Sequence, residues 1–119
     1  LQEQLEQSDK KGKRFLISNS DGAHIIPTDE LICCIADSNY TNLHLTQNKK
    51  IMVAKTLKEI ESMLAVNGNF LRIHQSNIIN VDKINKIIRQ DNSIFVLMSN
   101  GMELAVARSK KDELLERFK

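Results

Sequence analysis

The stretch Phe70-Leu71-Arg72-Ile73-His74-Gln75-Ser76-Asn77-Ile78-Ile79-Asn80 is where the reading of this chain begins. Phe70, Ile73, Ile78 and Ile79 can anchor a strand in a core. Arg72, His74, Gln75, Ser76, Asn77 and Asn80 crowd among them, so the segment reads as a strand that runs into a loop. A cation, an imidazole, amides and a hydroxyl within so few positions can contact phosphate oxygens and base edges. The stretch holds no acidic residue, which argues against a carboxylate-based catalytic site.

The chain has 119 residues, one domain of ordinary size. Apolar residues make up 41%, enough for a core, and charged residues 27% with a net charge of +2. So small an excess does not itself point to nucleic acid, and distribution matters more than the sum. Four cations and one anion lie between Arg72 and Arg89, and three cations and no anion between Arg108 and Lys111. Cys33 and Cys34 are adjacent in a strand-like run, so they point to opposite faces and form neither a CxxC motif nor a chelating pair. They read as small hydrophobes in a reducing cytosol. No apolar run reaches the ~18 residues of a membrane span, and no signal peptide is visible.

Residues 1–14 carry two Leu and no aromatic residue. They read as a linker from a missing upstream domain, which leaves 15–119 as the folded domain. Phe15 to Ser18, Ala23 to Ile26, Ile32 to Ala36, Tyr40 to Thr46 and Ile51 to Ala54 read as five strands separated by turns. In the fourth, Tyr40, Asn42, His44 and Thr46 share one face, and Thr41, Leu43 and Leu45 the other. Leu57, Ile60, Met63 and Leu64 then fall at helical spacing. Thr56 and Glu59 fit a capping box, and Asn67-Gly68-Asn69 a helix stop. Phe70 to Ile73 is a short strand. Val81 to Ile88 suits a helix by spacing and a strand by β-branching. Ile94 to Met98 and Met102 to Ala107 pair across a turn at Ser99-Asn100-Gly101. Ser109 to Phe118 reads as a short helix with Ser109 as N-cap and Leu114, Leu115 and Phe118 buried. The expected class is mainly β: stacked short antiparallel sheets, one central short helix and a C-terminal helical turn.

His24, His44 and His74 lack the spacing of a metal site, so neither a metal nor a cofactor is expected. Ser76 and His74 stand two apart, within reach of a hydrolase dyad, but no glycine-rich oxyanion loop stands nearby and the nearest carboxylate is Asp82. Asn80 reads as a residue that satisfies loop backbone. Arg108 reads as a base or phosphate contact where a strand enters a helix, with Lys110 and Lys111 beside it. A non-catalytic interaction or ligand-sensing module and a small Ser/His hydrolase remain the alternatives.

Phe70-x-Arg72-x-His74-x-Ser76-x-x-x-Asn80 resembles the signature of the LytTR DNA-binding domain family. Asn100-Gly101-Met102-Glu103-Leu104-Ala105-Val106-Ala107-Arg108 resembles its closing strand pair. Ile35-Ala36-Asp37-Ser38-Asn39-Tyr40-Thr41 is similar to its Asn-Tyr strand and loop, and Thr56 to Ile60 to its helix start. The resemblance covers residues 15 to 118 in order. It implies the output module of a bacterial, cytoplasmic two-component response regulator, a non-enzymatic transcription factor whose loops enter successive major grooves. It implies double-stranded DNA as partner, a dimer on direct repeats, and an upstream receiver domain. By position, Asn39, Tyr40, Asn42, Gln75 and Arg108 are its candidate DNA contacts. Gln75 stands where many members carry a basic residue, Ala107 where Ser is common, and Ala36 where Glu is common.

Overall fold

The computed structural model describes residues 14–65 and 69–118. The expected linker lies outside them except for Arg14, and so does the Asn67-Gly68 part of the helix stop. Among the described residues ten strands form three antiparallel sheets. β1 (Arg14–Asn19) and β2 (Gly22–Pro27) form a hairpin. β3 (Leu31–Asp37), β4 (Tyr40–Leu45), β5 (Lys50–Val53), β6 (Phe70–His74) and β7 (Asn77–Asn80) build a five-stranded sheet in the order β5-β4-β3-β7-β6. β8 (Ile84–Gln90), β9 (Ser93–Met98) and β10 (Glu103–Val106) form the third sheet. Helix α1 (Leu57–Leu64) joins β5 to β6, and α2 (Lys111–Glu116) closes the described chain.

The five-stranded sheet is the middle layer, because its inner strands have two apolar faces. Leu31, Ile32, Cys33 and Cys34 are all buried, and so are all four residues of β7. Cys34, Leu43 and Ile78 pack on one side with Phe15, Ile17 and Ile26 of the hairpin and Leu57, Ile60 and Leu64 of α1. Cys33, Leu71, Ile73 and Ile79 pack on the other with Val96, Met98 and Leu104 of the third sheet and Leu114 of α2. The two cysteines thus enter different cores as free thiols. Burial pushes the Cys33 thiol up to about 12 and the Cys34 thiol up as well, so both serve as inert apolar filling.

Local signals explain most elements. Glu59 N–H donates to Thr56 Oγ1 at 3.2 Å and Thr56 N–H donates to Glu59 Oε1 at 3.0 Å, which completes the capping box. The β4 alternation holds: Thr41, Leu43 and Leu45 are buried while Tyr40 is exposed. Val81–Lys83 forms a 3-10 turn and the isoleucines that follow form β8, so β-branching prevails over helical spacing there.

Three expectations are corrected. The run after His74 is a hairpin rather than a loop, because Ile78 and Ile79 enter opposite cores. Ser109 is no N-cap: a 3-10 turn spans Arg108–Lys110 behind extended Ala107, and α2 starts only at Lys111. Phe118 is 54% exposed, since it follows the end of α2 rather than lying on its inner face.

Asn80 is 3% exposed. Its Nδ2 donates to the Leu31 carbonyl at 2.8 Å and its Oδ1 accepts from Asp82 N–H at 3.0 Å, so it ties β7 to the start of β3. Asn80→Ala should lower unfolding free energy by about 2–3 kcal/mol, the cost of orphaning buried partners. Urea denaturation checks this, and a loss below about 0.5 kcal/mol, the range of an ordinary surface change, would show that the amide carries no such load.

Candidate nucleic-acid interface

Three polar turns meet at one end of the middle sheet. The β3–β4 hairpin turns at Ser38 and Asn39, with Asp37 opposite Tyr40. The β6–β7 hairpin turns at Gln75 and Ser76, with His74 opposite Asn77. Because β3 and β7 run antiparallel with Ile35 opposite Asn77, the end of β3 lies beside the start of β7. The Ser76 carbonyl accepts from Ala36 N–H at 2.9 Å, which locks the two turns side by side. The Ile73 carbonyl accepts from Ala107 N–H at 2.7 Å, which brings the Arg108–Lys110 turn against the edge of β6. At about 4.8 Å per strand, the two hairpin turns lie roughly 10 Å apart across the sheet. That suits the ~12 Å width of a major groove.

The Gln75-Ser76 turn is built unusually. Two-residue hairpin loops commonly need positive φ, yet neither residue has it. A register shift between Arg72 and His74 absorbs the mismatch in twist, and side chains hold the turn instead. His74 Nδ1 accepts from Ser76 N–H at 3.1 Å and lies 2.8 Å from Ser76 Oγ. A backbone N–H can only donate, so Nδ1 is the acceptor and the ring proton of neutral His74 sits on Nε2. Arg72 Nη2 donates to the Gln75 carbonyl at 2.8 Å, and its Nη1 lies 3.3 Å from Glu61 Oε1. The β3–β4 turn takes the other solution, with Ser38 at φ 56.

The side chains are placed as follows. Asn39, Gln75, Arg108 and Lys111 are exposed. A groove of about 490 Å³ is lined by Glu61, Arg72, His74, Gln75, Ala107, Ser109 and Lys110. Arg72 is half-buried and committed to Glu61 and the turn; Lys110 pairs with Glu113 at 3.4 Å. Among the described residues neither Arg108 nor Lys111 makes an ion pair, so theirs are the uncommitted cations of this end. Ser76 is half-buried behind the turn. Tyr40 is 47% exposed but lines a different cleft, with Asn19, His24, Lys50 and Met52 beside β5. Asn42 stands two residues into β4, half-buried, and its Oδ1 is buried without a partner among the described residues. The fold thus brings Asn39, Arg72, His74, Gln75, Ser76, Arg108, Lys110 and Lys111 to one end, with Tyr40 at its flank and Asn42 behind it. Glu61 was missed from the sequence: it is eleven residues from Arg72, on a helix face that reads as solvated.

The Ser76–His74 contact has the reach of a dyad, but Nδ1 already accepts a backbone proton. Among the described residues no carboxylate bonds the ring, so the orienting acid that activates such a base is lacking. Among those residues no cluster of three or more candidate metal ligands occurs. No helix among them is long and apolar enough to cross a membrane.

The loss of the Arg72 guanidinium should loosen only this turn. Arg72→Met should speed amide exchange at Gln75 to Asn77 by roughly 5–10-fold, the equivalent of about 1–1.4 kcal/mol, and leave β4 unchanged. Exchange measured by NMR decides it, and unaltered rates at Ser76 would remove Arg72 as the turn's clamp.

Comparisons with known proteins match this fold. Over 86% of its length the chain superposes, with a TM-score of 0.71 and 24% identity, on 95% of the LytTr DNA-binding domain of a Bacillus cereus methyl-accepting/DNA response regulator. It is 29% identical over 95 residues, 77% of its length, to an uncharacterised response regulatory protein of Vibrio cholerae. The match spans 36% of that relative, so the chain covers about a third of its length. The family model described as the LytTr DNA-binding domain matches residues 21–119. That match covers most of the sequence, and the chain belongs to the LytTr DNA-binding domain family.

Proposed function

We propose that the domain binds a specific double-stranded DNA sequence and regulates transcription as the output module of a two-component response regulator. One observation carries this reading: two main-chain bonds gather three polar turns at one end of a rigid sheet, in a chain of a DNA-binding family. Rigid elements hold contacting groups better than free loops do. Asn39 and Gln75 offer amides that can bond base edges, and Gln75 can hold adenine through two bonds. Arg108 offers a planar fork for guanine or a single phosphate. Lys111 and Lys110 add phosphate contacts. Arg72, His74 and Ser76 act one step back, by fixing where Gln75 projects. Tyr40 extends the contact along the flanking strand, and Asn42 supports it from behind. The chemistry is recognition rather than turnover. A receiver domain of the same regulator would control how two copies meet on DNA, in the cytoplasm.

Selection of bound sequences from a random duplex pool identifies the site. On that site, Gln75→Ala should weaken binding by about 1–3 kcal/mol and leave non-specific binding almost unchanged. Arg108→Lys keeps the charge but loses the fork, and should also cost about 1–3 kcal/mol on the specific site. Wild-type affinity in both variants would show that these turns do not read bases. With only Arg108, Lys110 and Lys111 left to face phosphates, the log–log salt slope should be roughly −2 to −3 per domain, from ~0.9 per phosphate contact. A flat salt response would remove DNA as the ligand.

A further inference from the structure

The outward face of the three-stranded sheet carries three bulky apolar side chains, Ile88, Phe95 and Leu97, each partly exposed. On β9, Ile94, Val96 and Met98 are buried and point inward, so Ser93, Phe95 and Leu97 point outward. Opposite Phe95 stand Ile88 on β8 and Ala105 on β10. Opposite Leu97 stand Lys86 on β8 and Glu103 on β10. Ile88, Phe95 and Leu97 belong to neither apolar core. Lys86 and Glu103 are exposed, and neither makes an ion pair among the described residues. The face therefore carries the rows Lys86–Leu97–Glu103 and Ile88–Phe95–Ala105, with a polar Gln90–Ser93 row beyond them and opposite charges at the two margins of the first.

This pattern is self-complementary. A two-fold axis along β9 exchanges β8 with β10 and keeps each row in place. Lys86 of one copy then meets Glu103 of the other, and bulky Ile88 meets small Ala105. Phe95 and Leu97 lie on the axis, each against its own counterpart, as isologous contacts require. Aligned sheets pack about 10 Å apart with strands crossing by about 30°, which lets the long marginal side chains reach one another.

We propose that this face joins two copies of the domain in a symmetric, transient dimer. The face is only roughly 15 by 20 Å, from the strand spacing and rise, below the size of a standard stable interface. Pairing is accordingly weak and concentration-dependent. It leaves the three turns of the middle sheet free, and it goes beyond the DNA-binding reading without depending on it. A two-fold pair offers its turns with opposite polarity, so it fits an inverted repeat. Direct repeats, which the family resemblance implies, would be held by copies not joined through this face.

Sedimentation of the 119-residue chain without DNA, from about 10 μM to about 1 mM, which brackets dissociation constants of a weak contact at roughly −4 to −7 kcal/mol, tests the proposal. A monomer–dimer equilibrium is expected. Lys86→Glu and Glu103→Lys each place like charges together and should weaken it at least about tenfold. The double exchange restores the pairing and should return the dimer to within about threefold of wild type. Both positions are exposed, and unchanged melting temperatures confirm intact folds. Monomer at every concentration, or single exchanges without effect, would overturn the dimer. Because no DNA enters the experiment, its failure leaves the binding reading intact, and loss of DNA binding leaves the dimer intact.

Discussion

The pairing of β7 with β3 is the constraint on which the rest depends. β7 is four residues long and wholly buried, and it reaches β3 through Cys33, Cys34 and Ile35. This pairing puts the Gln75-Ser76 turn beside the end of β3 and allows the bond from Ala36 N–H to the Ser76 carbonyl. Asn80 fastens the other end of the same strand through the Leu31 carbonyl. A one-residue slip would exchange Ile78 with Ile79 between the two cores and turn the hairpin over. Register is therefore set by apolar burial, and the polar end inherits its geometry from it.

The proposed function rests on a division of labour at that end. Residues that fix backbone are bonded internally: His74 to Ser76, Arg72 to Gln75 and Glu61. Residues left exposed and uncommitted are the amides of Asn39 and Gln75 and the cations of Arg108 and Lys111. In the proposed reading positioning and contact fall to different side chains, since a contact group that must also hold its own turn is not free to meet a base. The weak net charge agrees with this, because only a few cations need to face the duplex.

Much of the fold was legible in the sequence. Alternation in β4, the Thr56–Glu59 capping box and the hairpin at Ser99–Gly101 each carry their own local signal. Other parts had none. Asn77 to Asn80 reads as loop because its two isoleucines are bracketed by asparagines, and only tertiary pairing turns the run into a buried strand. Ser109 looks like an N-cap by residue type, yet the helix is delayed by a 3-10 turn that depends on the contact of Ala107 with Ile73. At the candidate site the residue types were legible but not their roles. Arg72 reads as a phosphate contact until Glu61 and the Gln75 carbonyl are seen to occupy it, and Asn42 reads as exposed until β5 pairs beside it.

The most direct test of the proposed DNA-binding surface is an amide chemical-shift map recorded as the selected duplex is added. The largest changes are expected at residues 38–40, 74–77 and 107–111, together on one end of the middle sheet, with the outward face of β8–β10 unchanged. Changes centred on the β1–β2 hairpin or on β8–β10, with those three turns silent, would contradict it.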